Sequence, residues 1–128
     1  MQEVSDIKFI NFGSGLDQVS FIDAEARLPI QVMDYSTIQE DPFNISPNKI
    51  YKLGTRDYLS VVFLTPSDET KGNIYNLSFV AGSDIQTPTF YKGNTSTEIQ
   101  IDKGTVEFIP GKKYEVSYNW ASEILIVQ

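Results

Sequence analysis

The chain contains no cysteine and no histidine. The first absence excludes disulfides, thiolate metal sites and cysteine nucleophiles, so stability has to come from packing. It does not settle the compartment, because a secreted bacterial domain need not use disulfides. The second absence removes the commonest general base and the commonest transition-metal ligand, and a Ser-His-Asp triad cannot be built within this chain. Basic residues are scarce as well: 10 Lys and Arg against 17 Asp and Glu leave a net charge of −7. A surface that acidic repels phosphate backbones, so nucleic acid is not an expected partner. Long apolar runs are missing too. Val61-Val62-Phe63-Leu64 is far too short to span a bilayer, and no membrane partner is expected. The opening Met1-Gln2-Glu3-Val4-Ser5-Asp6 lacks the basic and apolar regions of a signal peptide. The expectation is synthesis in a cytoplasm, with release, if any, by lysis. The sequons at Asn44, Asn76 and Asn94 are then chance.

What is present is the composition of one packed domain. The 128 residues are 41% hydrophobic, which suits a single core over residues 1–128. No window carries apolar residues at helical spacing for three turns; Ser20–Ala26 could hold one turn at most. Short strands are predicted instead: Ile7–Ile10, Gln18–Ile22, Arg27–Met33, Lys49–Leu53, Tyr58–Leu64, Ile74–Val80, Lys113–Tyr118 and Ile124–Val127. Pro29 suits an edge strand, and Tyr58–Leu64, apolar on both faces, a central covered one. Ile99–Ile101 and Val106–Phe108 also alternate. Residues 34–48, rich in Asp, Asn, Ser and Pro, read as a loop. No internal repeat is evident. The fold class is therefore all-β, a single β-sandwich or flattened barrel of Ig-like or jelly-roll-like kind, with little or no helix. Val62, Leu64, Leu77, Phe79, Tyr114, Val116 and Ile126 are expected in its core.

No motif asks for chemistry. Glu40-Asp41 and Asp68-Glu69 fall in polar turns, and no Asp-x-Asp-x-Asp-Gly calcium spacing exists. Gly13-Ser14-Gly15 lacks the Gly-Lys-Ser/Thr ending of a phosphate loop. The expectation is no catalytic residue, no metal and no cofactor. Tyr114, Tyr118, Trp120, Phe90 and Tyr91 could form a sugar-stacking shelf. Tyr114 and Tyr118, however, sit at inward-alternating positions that favour a core. Trp120 lies in the last turn, where it either caps the core or anchors a partner. Phe90 and Tyr91 are adjacent, so in an extended chain only one of them faces inward.

The C-terminal half carries the run Leu77-Ser78-Phe79-Val80-Ala81-Gly82-Ser83-Asp84, then Ile99-Gln100-Ile101, then Phe108-Ile109-Pro110-Gly111-Lys112-Lys113-Tyr114-Glu115-Val116-Ser117-Tyr118. In these residues it resembles a small β module of structural proteins of tailed bacteriophages. The likeness spans about residues 77–127, with a departure between Asp84 and Glu98. It implies a virion part made in the host cytoplasm and repeated in many symmetric copies. Its partners would be other virion proteins, a major capsid protein or tail subunits.

Size, acidity and the lack of fibre-like repeats point within that class to an auxiliary or decoration protein of the capsid. A small tail, fibre or baseplate component is the alternative. A carbohydrate-binding or adhesive module is a second alternative. Possible partner contacts are the aromatics of segments that do not read as core: Phe12, Tyr35, Phe43, Phe90, Tyr91 and Trp120.

Overall fold

The computed structural model describes residues 30–128 apart from Lys103. The strands expected at Ile7–Ile10 and Gln18–Ile22, the turn at Ser20–Ala26, Pro29 and the candidate contact Phe12 lie outside the described residues. Among the described residues there is no helix. Eight strands form two facing sheets. They are β1 (Val32–Asp34), β2 (Phe43–Ile45), β3 (Ile50–Arg56), β4 (Ser60–Phe63), β5 (Ile74–Ala81), β6 (Thr89–Lys92), β7 (Lys113–Asn119) and β8 (Ile124–Val127). The larger sheet runs β1-β3-β5-β7-β8 and the smaller β2-β4-β6. The molecule is the all-β sandwich that the alternation predicts.

Its connectivity is not that of Ig or jelly-roll sandwiches, whose sheets are antiparallel. Through β6 the chain passes from one sheet to the other at every strand. β1, β3 and β5 are parallel, and so are β2, β4 and β6. The chain thus winds three coils, each giving one strand to each sheet. Val32 pairs with Ile50 and Phe43 with Val61, so the first two coils are both 18 residues apart. This is a structural repeat that the sequence does not display. The matched pairs, such as Phe43 with Val61 and Ile45 with Phe63, share only apolar character. The antiparallel strands β7 and β8 then close the larger sheet.

The inward face of each strand supplies the core. β5 alternates without a break, burying Tyr75, Leu77, Phe79 and Ala81. β7 does the same with Tyr114, Val116 and Tyr118. Phe63 of the small sheet stacks on Tyr118 at 4.8 Å and on Phe90 at 6.1 Å, and meets Tyr75 edge-on at 5.2 Å. Aromatic pairs of this kind add to the area they bury. β4 is central in its sheet and buried at all four positions, as its two-faced apolar pattern requires.

Four expectations are corrected. β2 forms inside the supposed loop 34–48, because Phe43 and Ile45 alternate there and both are buried. β6 forms at Thr89–Lys92, where no strand is predicted. Residues 99–101 and 106–108 are not strands. Their Ile99, Ile101, Val106 and Phe108 still pack against the core from an irregular segment. Finally, β3 does not stop at Gly54 but continues to Arg56 through a break in register. Gly54 has φ +69°, and a Cβ there would meet that of Ser36 at 2.9 Å.

Of the expected core, Val62, Leu77, Phe79, Tyr114 and Val116 are buried, and Leu64 is half-buried. Ile126 is 44% exposed, while its neighbour Leu125 is fully buried. The hairpin decides this. Tyr118 faces inward and pairs with Leu125, so Ile124 and Ile126 must face outward.

Candidate functional site

Of the turn acids, Asp68 and Glu69 are engaged in structure. Asp68 accepts bonds from the backbone NH and hydroxyl of Thr70, and these hold its carboxyl below the usual range. Asp34 does the same with Ser36. Glu69 accepts the indole NH of Trp120 at 3.0 Å. Among the described residues no three Asp or Glu side chains gather where a metal could sit.

Five of the six candidate contact aromatics lie in the described part, and most serve the interior. Phe43 and Phe90 are 2% and 1% exposed, so neither offers its side chain to a partner. Both belong to strands, β2 and β6, whose inward face they occupy. Tyr35 is half-buried and packs edge-on to Tyr51 at 5.4 Å. Tyr91 is the outward member of the Phe90-Tyr91 pair and is half-buried. Trp120 is buried against Tyr75 and Tyr118, with the Lys92 ammonium 4.5 Å above its ring. It closes one end of the core. Lys92 also pairs with Glu123, and although burial opposes its charge, this carboxylate raises its pKa. Since Tyr114, Tyr118, Trp120 and Phe90 are all interior, these residues form no sugar-stacking shelf.

The loop before β2 is pinned from inside. Arg56 is buried, and among the described residues no carboxylate accepts from it. It donates instead to the carbonyls of Leu53 (2.6 Å), Tyr35 (2.7 Å) and Ile38 (2.6 Å). Its guanidinium lies 4.8 Å from the Phe43 ring centre. Burial lowers its pKa, yet an arginine remains charged at any ordinary pH.

Among the described residues, the outer face of the five-stranded sheet is uncovered. A groove of about 370 Å³ crosses it. Its middle is polar, with Asn76 and Ser78 on β5 and Glu115 and Ser117 on β7. Its borders are apolar: Val32 and Ile50 at one rim and Ile126 at the other. Val32 is 55% exposed, and Ile124 beside Ile126 is 41% exposed. Strands lie about 4.8 Å apart, so four steps set the rims about 19 Å from one another. That spacing admits a helix, about 10–12 Å across with its side chains, or one or two strands. None of these rim residues figures among the contacts expected from sequence. The sequence suggests a core position for Ile126 because Ile124-Leu125-Ile126-Val127 is apolar throughout. The pairing across the Asn119–Ile124 turn is the signal that separates its two faces. No family model, no curated protein and no solved structure matches the chain.

Proposed function

We propose that the protein is a non-catalytic structural subunit of a tailed-phage particle, most specifically an auxiliary or decoration protein of the capsid. The observation that carries the docking half of this reading is the grooved outer face of the larger sheet, with apolar rims at Val32 and Ile126. Apolar groups paired across a shallow groove are unfavourable in water and gain from a partner that covers them. A neighbouring shell subunit seated between the rims would bury them, and repetition in many copies would multiply a modest contact. The virion half rests on the likeness of residues 77–127 to phage structural modules. That stretch contains β7, β8 and five of the eight residues of β5, the antiparallel unit that presents most of the groove. The net charge of −7 suits an exterior position better than one against DNA.

A tail, fibre or baseplate part is the second reading. The parallel coils favour it, because a stack of coils is extended by adding more of them. Mass spectrometry of particles purified from the host that carries the gene tests the proposal, with antibody labelling to locate the chain. The proposal expects stoichiometric recovery and labelling over the head. Labelling along the tail would transfer the assignment to the second reading. Absence from purified particles would overturn both.

A further inference from the structure

Because β1, β3 and β5 are parallel, the chain leaves all three at the same end of the sandwich. It crosses there to the smaller sheet through residues 35–42, 57–59 and 82–88. The middle crossing fixes its two neighbours. Arg56, at the end of β3, donates to the carbonyls of Tyr35 and Ile38 in the first crossing at 2.7 and 2.6 Å. The Asp57 carboxylate accepts the backbone NH of Asp84 in the third at 3.0 Å, and its carbonyl accepts that of Gln86 at 2.7 Å. Gly82 leaves room for this, since a Cβ there would collide with the Asp57 carboxylate.

Between the first two crossings lies a shallow cleft of about 450 Å³. Tyr58 on its border is 56% exposed, whereas every other aromatic among the described residues is buried or half-buried. Glu40, Asp41 and Asp57 bring carboxylates to the lining, and Gln39 and Thr55 bring groups that both donate and accept. Arg56 lines the cleft too, is 4% exposed, and among the described residues no group accepts from its Nη1.

This lining selects by charge and by hydrogen bonding. An anion would meet three carboxylates. A cation would meet the permanent Arg56 charge and could not use its donor, because an ammonium only donates. A hydroxyl both donates and accepts, so a neutral polyhydroxylated ring can serve the carboxylates and the guanidinium at once. The apolar C–H face of such a ring would cover the exposed Tyr58.

We propose that this cleft binds one residue of a neutral glycan, with Tyr58 as its platform and Glu40, Asp41 and Arg56 as its hydroxyl partners. The inference is independent of the virion reading and of the grooved outer face. Both walls are held by hydrogen bonds within the protein, so little ordering opposes binding.

The full chain is tested on an array of neutral, sialylated and sulfated glycans, with a hexalysine peptide as the cationic probe. The neutral glycan with the strongest signal is then titrated in free form by calorimetry. A neutral glycan is expected to bind, and to bind more tightly than its sialylated or sulfated forms or hexalysine. Tyr58→Ala is expected to weaken its binding at least about tenfold, and Glu40→Gln at least about threefold. Both substitutions fall on exposed side chains and should leave Tm within about 2 °C of the parent. Glu40→Gln carries the test alone should Tyr58→Ala fail to fold. Binding of no neutral glycan, tighter binding of a charged glycan or of hexalysine, or unchanged affinity in a folded variant would each overturn the proposal.

Discussion

The parallel coils β1–β6 and the antiparallel unit β5-β7-β8 share one core but are specified at different ranges. In the antiparallel unit β7 and β8 meet across a turn from Asn119 to Ile124, and Tyr118 opposite Leu125 sets both faces. In the coils each strand waits for a partner 18 or more positions away: Val32 for Ile50, Val61 for Phe90. Hairpin contacts close short loops, and parallel ones close long loops before any pairing rewards them. The coils therefore depend on side chains that reach between sheets, such as Phe63 against Tyr75 and Tyr118, and Arg56 over the Phe43 ring.

Removing a bridge between the two regions has the largest expected effect. Phe63 touches Tyr75 and Tyr118 of one sheet and Phe90 of the other. Phe63→Ala should cost about 3–5 kcal/mol in urea unfolding. Phe79→Ala, in the antiparallel unit against Tyr114 and Phe108, should cost a similar amount. If the regions form one cooperative unit, both variants unfold in a single transition. Two separated transitions in either variant would divide the molecule into two folding units.

Arg56→Met sharpens the comparison on the coil side. It strips the carbonyls of Leu53, Tyr35 and Ile38 of their donor, a loss of about 2–3 kcal/mol. Arg56→Lys should recover only part of it, since an ammonium cannot reproduce the planar fork. Full recovery would show that charge near Phe43 matters more than the hydrogen bonds.

Alkaline pH probes the aromatic joint between the sheets. Burial, then the neighbouring Tyr118 and Glu69, raise the Tyr75 hydroxyl well above its ordinary pKa, and burial raises Tyr118 too. The unfolded chain ionises these phenols first, from about pH 10. The folded state therefore holds more protons above that pH, and stability, full below it, falls as pH rises further. Denaturant midpoints should drop between pH 9 and pH 11, and Tyr75→Phe should flatten the slope. Equal slopes in the two proteins would remove Tyr75 from the joint.

The smallest effect on stability is expected on the outer face. Ile126→Ser should change it by no more than about 0.5 kcal/mol, whereas Leu125→Ala, one residue away, should cost about 2–5 kcal/mol. A large loss at Ile126 would mean that the outer face is covered within the monomer.

The legibility of the fold follows the same division. Ile74–Val80 and Lys113–Tyr118 were readable because strict alternation next to a tight turn leaves one arrangement. β2 and β6 were not. Three or four residues such as Phe43-Asn44-Ile45, set among Asp, Pro and Asn, show too short a period to outweigh their turn-forming neighbours. The parallel coils left no trace in composition, since their repeat lies in spacing and inward polarity rather than in residue identity. The site suffered from the reverse error. Phe43 and Phe90 look unexplained in the sequence because their strands are too short to read. Ile126 looked explained because any apolar strand resembles a core strand.

If a neighbouring subunit docks on the outer face of the five-stranded sheet, charges placed on both of its rims should block docking without unfolding the chain. Val32→Asp combined with Ile126→Asp, compared with the parent protein for incorporation of the full chain into particles, tests this. Incorporation is expected to fall at least about tenfold, equivalent to about 1.4 kcal/mol, while Tm stays within about 3 °C of the parent. Normal incorporation of this double variant, folded and at parental Tm, would contradict the claim.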